Sequence, residues 1–433
     1  MTTGKLSRQL GLASLVIYGI GDILGAGIYA LVGRVVAISD RAAWLSFLLS
    51  GLLAAITGLS YAELSSRIPR SAGVAAYCAK AFRSPIVPFM AGYLVLISGI
   101  VSGATVSLAL SGYLQVLINI PQWLSALLFI AAVSFLSFWG IRESTGANAV
   151  FTFIELLGLL LVIAVGFFYV FCMNPAELLS RVTPGVAFGP ILAGAVLAFY
   201  AFVGFEDLAN LSEEAKNPSR DIPRAMLVSV AVSSILYVLV VLVVLWTLST
   251  HEASQSLTPL LDVLQKAQFP LPSWGFSLVA LFAVCNTGLV NLIMASRLLY
   301  GMADQRLLPQ VLARVHPARK TPSVAVLVSM VLCMGVVVTG SVGQLAQTTS
   351  LLLIIIFFLV HLSLILIKRK EPESDSAFRV PKLVPYLGIF VCFLMLTKVP
   401  AEAYLRLMVI APCGFILYGF VRKSVGVAQT PPL

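Results

Sequence analysis

Charge is scarce in this sequence. Only 11% of its 433 residues are Asp, Glu, Lys or Arg, against roughly 25% in a soluble domain. So few ionic groups cannot cover a water-facing surface, which excludes a soluble enzyme and a soluble nucleic-acid-binding protein. Histidine is scarcer still: His251, His316 and His361 are the only three, far apart in sequence. The six cysteines, Cys78, Cys172, Cys285, Cys333, Cys392 and Cys413, lie in or beside apolar runs. None has metal-ligand spacing, so neither a zinc site nor a disulfide framework is expected. No nucleophile is paired with a base, so no motif points to an enzyme, and no cofactor is expected.

What the chain has in abundance is apolar surface. Hydrophobic residues make up 59% of it. They fall in about a dozen continuous runs, many near the ~20 residues that carry a helix across a bilayer. Continuous rather than alternating runs exclude a β-barrel. The expected fold class is an all-α polytopic membrane protein, a single transmembrane domain over residues 1–433 with the lipid bilayer around it. Spans are expected at Leu12–Gly33, Trp44–Ser65, Ile86–Leu117, Trp123–Gly140, Ala147–Phe171 and Phe188–Leu208. They continue at Ala225–Leu248, Trp274–Tyr300, Ser323–Thr339, Leu345–Ile367, Val384–Thr397 and Tyr404–Val421. The eleventh is short for a spanning helix. The first follows Lys5 and Arg8 but runs too long for a signal peptide.

Twelve spans put both termini on one side. With the N-terminus inside, the inner segments hold 22 of the 28 Lys and Arg residues. The outer segments hold Arg34, Arg41, Arg181, Lys266, Lys398 and Arg406. Basic residues gather on the cytoplasmic side, so both termini are expected in the cytoplasm and the protein in the cytoplasmic (inner) membrane. The net charge of +10 therefore reads as topology, with no nucleic acid as partner. Nothing in the sequence fixes an oligomeric state.

Two spans carry glycine where a helix is weakened. Span 1 contains GIGDILGAGIYALVG, with Gly21, Gly25 and Gly27 at its middle; each helical Gly costs about 1 kcal/mol relative to Ala. Two explanations are open. One is close packing of helices through small residues. The other is a discontinuous helix, unwound near Gly25–Gly27, whose second half offers amide N–H groups to a carboxylate. Span 6 reads FYAFVGFED from Phe199 to Asp207, and a break near Phe202–Gly204 frees carbonyls for an ammonium group. The candidate substrate-binding residues are Asp22, Gly25, Ala26, Gly27 and Ile28, with Tyr200, Ala201, Phe202, Val203 and Gly204. Two interrupted spans, each opening a five-span block, point to a transporter with inverted repeats. The repeats would be residues 12–171 and 188–367, with two extra helices at 384–421.

At these residues the chain resembles the amino acid–polyamine–organocation (APC) family of permeases. GIGDILGAGIYALVG is similar to the family's first-span signature, and FYAFVGFEDLANLSEEAKNPSRDIPRAM (Phe199 to Met226) to its sixth span and following loop. SYAELSSRIPRSAGVAAYCAKAF (Ser60 to Phe82) and MASRLLYGMADQRLLP (Met294 to Pro309) also match, so four separated motifs agree in order over spans 1–10. The resemblance is to bacterial amino acid permeases related to cationic amino acid transporters. It implies a LeuT-like 5+5 inverted-repeat bundle plus two helices and alternating access. It also implies a substrate α-carboxylate at the span 1 break and an α-ammonium at the span 6 carbonyls. The implied function is secondary active amino acid transport, by proton-coupled symport or by exchange. The alternative is a transporter or exchanger of polyamines or other organic amines. A channel is a further class, but no ring of repeated charges or carbonyls is visible.

Four acids fall within or at the edge of spans: Asp22, Glu155, Glu206 and Asp207. A carboxyl inside a membrane is functional by default, since loss of water lets it hold a proton to higher pH. Two roles are open to Asp22: contact with a substrate amine or coupling cation, or a protonated side chain bonded to a neighbouring helix. Family members often carry a small or amide residue there. Glu155 shares a stripe with Asn148, Thr152 and Gly158, which is expected to face protein and span 1. Some proton-coupled relatives carry Lys at this position. Glu155 either carries the transported proton, helps to bind a cation, or is a neutral hydrogen-bonded residue. Glu206, just past the span 6 break, is a candidate gate or proton residue. Asn286 and Thr287 in span 8 are candidate coupling-ion ligands, with interhelical bonding as their other use. His361 is a minor titratable candidate, and Glu63 with Arg67 reads as a structural i,i+4 pair.

Overall fold

In the computed structural model, residues 10–424 are described apart from 70–72, 140–144, 172, 184, 186, 213, 305–307, 317–318, 320 and 372–377. The described residues form helices and turns, with one isolated parallel bridge between Leu10 and Ala215. In chain order the helices are α1 (Leu12–Ser39), α2 (Ala43–Arg67), α3 (Gly73–Ala81), α4 (Ile86–Leu114), α5 (Gln122–Trp139) and α6 (Thr145–Val170). They continue with α7 (Pro175–Val182), α8 (Phe188–Ala198), α9 (Pro218–Thr247), α10 (Thr250–Gln255) and α11 (Pro259–Lys266). The last five are α12 (Ser273–Asp304), α13 (Ser323–Val337), α14 (Val342–Lys370), α15 (Leu383–Leu396) and α16 (Ala401–Ser424).

Eight stretches are long and apolar enough to cross a membrane, and the first, Leu12–Arg67, is 56 residues long. It turns at Asp40, whose φ is 49°, and so holds both α1 and α2. Shorter apolar helices lie at Phe188–Phe202, Ser323–Val337 and Leu383–Leu396. Together these are twelve apolar helices among the described residues, one at each expected position. The protein is a multi-pass membrane protein. Helix is the outcome even for α9, whose ILYVLVVLVVLW run would favour a strand in water. In hydrocarbon an open strand would leave its N–H and C=O groups without partners, whereas a helix satisfies them within one segment.

Boundaries differ from expectation where polar chemistry extends or ends a helix. α9 begins at Pro218 rather than Ala225, with Pro at its first turn, a position where the missing N–H costs nothing. The polar stretch after α9 holds two short helices. Ser249 and Glu252 close a capping box on α10, and Pro259 opens α11. α11 buries Leu260, Leu261 and Leu264 against α1, α6 and α9.

α1 lies at the centre, packed on α9, α6, α8 and α12. α16 instead turns Leu405, Met408 and Val409 outward, as a lipid-facing helix does. The C-terminal ends of α2 and α14 are joined by a buried ionic cluster. The Glu63 carboxylate lies 2.6 Å from Arg67 Nη2 and 2.7 Å from Lys368 Nζ, and it accepts the Val380 N–H at 2.9 Å. The expected Glu63–Arg67 pair is therefore part of a larger tie between two helices and the segment that follows α14.

Candidate functional site

Both interruptions are present in the backbone. α1 leaves helical geometry at Gly25, with φ −30° and ψ −146°. In the sixth span, α8 stops at Ala198 and tightens into a 3-10 turn over Phe199–Phe202. Val203 is then extended, and Gly204 takes φ 124° before a second 3-10 run, Phe205–Leu211. That positive φ is open to glycine without strain.

The two breaks touch. A Cβ on Gly27 would stand 2.4 Å from Ala201 Cα, and one on Gly204 would stand 2.7 Å from the Asp22 carbonyl oxygen. Glycine at both positions is thus what lets two backbones meet. Side chains satisfy several of the groups released by the breaks. The Ala26 N–H donates to Thr287 Oγ1 at 3.1 Å, and Thr287 passes its own hydrogen to Ala283 O at 3.2 Å. The Tyr237 hydroxyl of α9 lies 2.5 Å from Ile23 O and 2.8 Å from Ala201 O, one carbonyl from each broken span. The Gly204 N–H donates to Glu206 Oε2 at 3.0 Å.

A small recess of about 20 Å³ lies between the breaks. It shares Ser102, Val203, Asp207 and Asn291 with a cavity of about 300 Å³ whose walls include Glu206 and Arg297. Asn291 donates to Ser102 Oγ at 2.9 Å, and the Tyr200 hydroxyl lies 2.9 Å from the same atom. Along the second half of α1 the packing is dense. Tyr29 donates to Glu155 O and Tyr113 donates to Tyr29 O, both at 2.9 Å. Beyond them Gly33 abuts the Ala253 carbonyl of α10. The recess therefore adjoins a cavity walled by α3, α4, α12 and α14, and packing is dense along the second half of α1.

Of the residues expected from sequence, Asp22, Gly25, Ala26, Gly27, Tyr200, Ala201, Val203, Gly204 and Thr287 line the recess. Ile28 and Phe202 are fully buried and line neither cavity; Phe202 packs on Tyr237 at 5.1 Å between ring centres. Glu206 lines the larger cavity while capping Gly204. Glu155 is fully buried and lines neither cavity. Its carboxyl lies beside Asn286, but neither oxygen has a hydrogen-bond partner among the described residues. Its stripe does face α1: a Cβ on Gly21 would meet Thr152 Oγ1 at 1.8 Å, and one on Gly158 would meet the Tyr29 hydroxyl at 2.8 Å. The side chain of Asn148, the fourth residue of that stripe, lies outside the described residues. His361 sits away from the recess, between α2 and α14, with Nδ1 2.9 Å from Ser60 Oγ and Nε2 3.3 Å from Thr57 Oγ1. Sequence reasoning missed Tyr237, Ser102 and Tyr113. The one available signal was a phenol within the aliphatic run of α9.

The family model described as "Amino acid permease" matches residues 10–408. The chain belongs to that family. It is an APC-type permease by its motifs and by its relatives. It is 28% identical to the "Branched-chain amino acid permease BcaP" of Bacillus subtilis (strain 168) over 447 residues, 96% of this chain and 94% of that one. It is similar to the "Methylthioribose transporter" of the same organism at 28% identity, covering 96% and 93% of the two chains. It is also similar to "Cationic amino acid transporter 4" of Mus musculus, at 31% identity over 86% of this permease and 62% of that protein.

Proposed function

We propose that this permease moves amino acids across the cytoplasmic membrane by alternating access, as a proton-coupled symporter or an exchanger. One observation carries the reading: the breaks of α1 and of the sixth span meet at a recess lined by residues of both. The amide groups after Gly25 take the α-carboxylate, helped by the positive end of the second half-helix. The carbonyls before Gly204 take the α-ammonium. All twelve apolar helices cross the bilayer, as two inverted five-helix repeats and two further helices, with both termini in the cytoplasm. Non-helical backbone at this depth is tolerable because it lines a protein cavity.

Glu155 carries the coupling proton in this reading. It is a buried carboxyl on the face of α6 that packs on α1, beside Asn286, the chain neighbour of the residue that caps Ala26. A polyamine or organic-amine substrate is the second reading. Its support is specific: Asp22 and Asp207 line the recess, and among the described residues no Lys or Arg does. The relatives named for branched-chain and for cationic amino acids bracket these choices. Reconstitution followed by a screen of labelled amino acids and polyamines, with and without a pH gradient, tests the reading. Uptake that is saturable, stereoselective and raised by an inward proton gradient is expected. Non-saturating flux would mean a channel.

A further inference from the structure

Tyr237 stands where the two broken spans meet and belongs to neither. Its ring is fully buried and lies edge-on to Phe47 and Phe202, at 6.1 and 5.1 Å between ring centres. Its hydroxyl reaches Ile23 O at 2.5 Å and Ala201 O at 2.8 Å. A phenol has a single hydrogen to donate, so it serves one acceptor fully or two in part. Ile23 lies in the last turn of the first half of α1, and Ala201 in the last turn before the break of the sixth span. Helical bonding stops at each break, so carbonyls there depend on partners outside their own helix. Both residues also line the recess.

We propose that Tyr237 is a positioning residue that senses occupancy of the recess and relays it to the first half of α1. The proposal rests on the amino acid reading above, in which a substrate ammonium binds the carbonyls of the sixth span. A charge-assisted bond is roughly twice as strong as a neutral one, so an ammonium displaces the phenol from Ala201 O. The hydrogen then passes wholly to Ile23 O and tightens the hold on the half-helix before Gly25. With the recess empty the hydrogen is divided, and that half-helix is held less firmly. A ligand shifts a conformational equilibrium only through a difference in its interactions with the two states. The reassigned hydrogen is such a difference. The same residue thereby links binding at the sixth span to closure at the first.

The test compares the full-length wild type with Tyr237→Phe, which keeps the ring and removes the hydroxyl. Binding of labelled substrate is expected to stay within about threefold, while the maximal transport rate falls about tenfold, the size of one neutral hydrogen bond. KM is expected to change by less than about threefold. A second readout uses Ser98→Cys, on the wall of the larger cavity, in a chain whose native cysteines are replaced. Substrate is expected to shield this thiol from a water-soluble reagent in the wild-type background and not in the Phe variant. A Phe variant with wild-type rate and shielding would overturn the proposal. So would one that loses binding and transport together, since the hydroxyl would then be part of the binding wall. Should the Phe variant fail to fold, Phe47→Leu loosens the ring and keeps the hydroxyl. A reduced rate with unchanged binding is expected there, and an unchanged rate with unchanged shielding overturns the relay. If the wild type binds no amino acid or amine in the same assay, the transport reading fails instead, and the two failures are told apart.

Discussion

The backbone N–H of Ala26 donates to the Thr287 hydroxyl at 3.1 Å. α12 thereby supplies the acceptor that α1 lost when it left helical geometry at Gly25. Thr287 does not depend on its charge or size for this, only on its oxygen. Thr287→Val keeps the shape and leaves a buried donor unsatisfied, which costs about 1–3 kcal/mol. A lower thermal midpoint in detergent and a loss of uptake of about tenfold or more are expected. Thr287→Ser retains the oxygen and is expected to retain most of both. Equal behaviour of the Val and Ser variants would show that the bond contributes nothing.

Gly27 and Gly204 permit contact between two backbones. A side chain at Gly27 would collide with Ala201 Cα, and any residue other than glycine at Gly204 adds strain at φ 124°. Gly27→Val and Gly204→Val are expected to reach the membrane in normal amount and to bind no substrate. The strain at Gly204 is of order 1–3 kcal/mol. Binding by either variant at wild-type affinity, measured on purified protein, would place the site elsewhere.

Glu155→Gln removes a titratable group and keeps its volume. Proton-driven accumulation is expected to fail, while exchange of internal for external substrate survives, because exchange needs no return of an empty, deprotonated carrier. Both activities are measured in proteoliposomes between about pH 5 and pH 8. Glu252 serves as the control. It sits on α10, outside the spanning helices, and bonds from Lys266 and Ser249 hold its carboxyl down at about 2. A carboxyl so depressed keeps its charge, and its pairing with Lys266, until pH falls through that value. Glu252→Gln is therefore expected to leave the pH profile unchanged over the same range. An unchanged profile in the Glu155 variant would make Glu155 a structural residue and move the search to Asp22 and Glu206.

Glu63 is fully buried between Arg67 and Lys368. Glu63→Gln leaves two cations facing a neutral amide, and breaking a buried pair from one side costs about 3–5 kcal/mol. A large fall in the thermal midpoint is expected, with substrate affinity little changed in the protein that remains folded. A midpoint within a degree or two of wild type would mean that water reaches the cluster and screens it.

Several features were legible in the sequence because the bilayer acts on each segment separately. A run such as Val342–Lys370 must be helical wherever it packs, since no water completes its backbone bonds. Low charge and continuous apolar runs thus determined an all-α membrane protein and the positions of its apolar helices. The glycines of α1 and Gly204 likewise marked the breaks, because glycine is where a helix costs least to leave. The stripe through Thr152, Glu155 and Gly158 marked the face of α6 that meets α1.

Tertiary structure alone decided who completes the breaks. Tyr237 lies 36 residues from Ala201 and 214 from Ile23, and Thr287 lies 261 from Ala26. No local periodicity links residues so far apart; only the packing of α9 and α12 on α1 sets those hydroxyls against the freed groups. Packing of α14 on α2 likewise joined Glu63 to Lys368, 305 residues away. Spans follow from the transfer of each segment into hydrocarbon, a property of that segment. A recess follows from which faces meet, and that depends on the whole bundle.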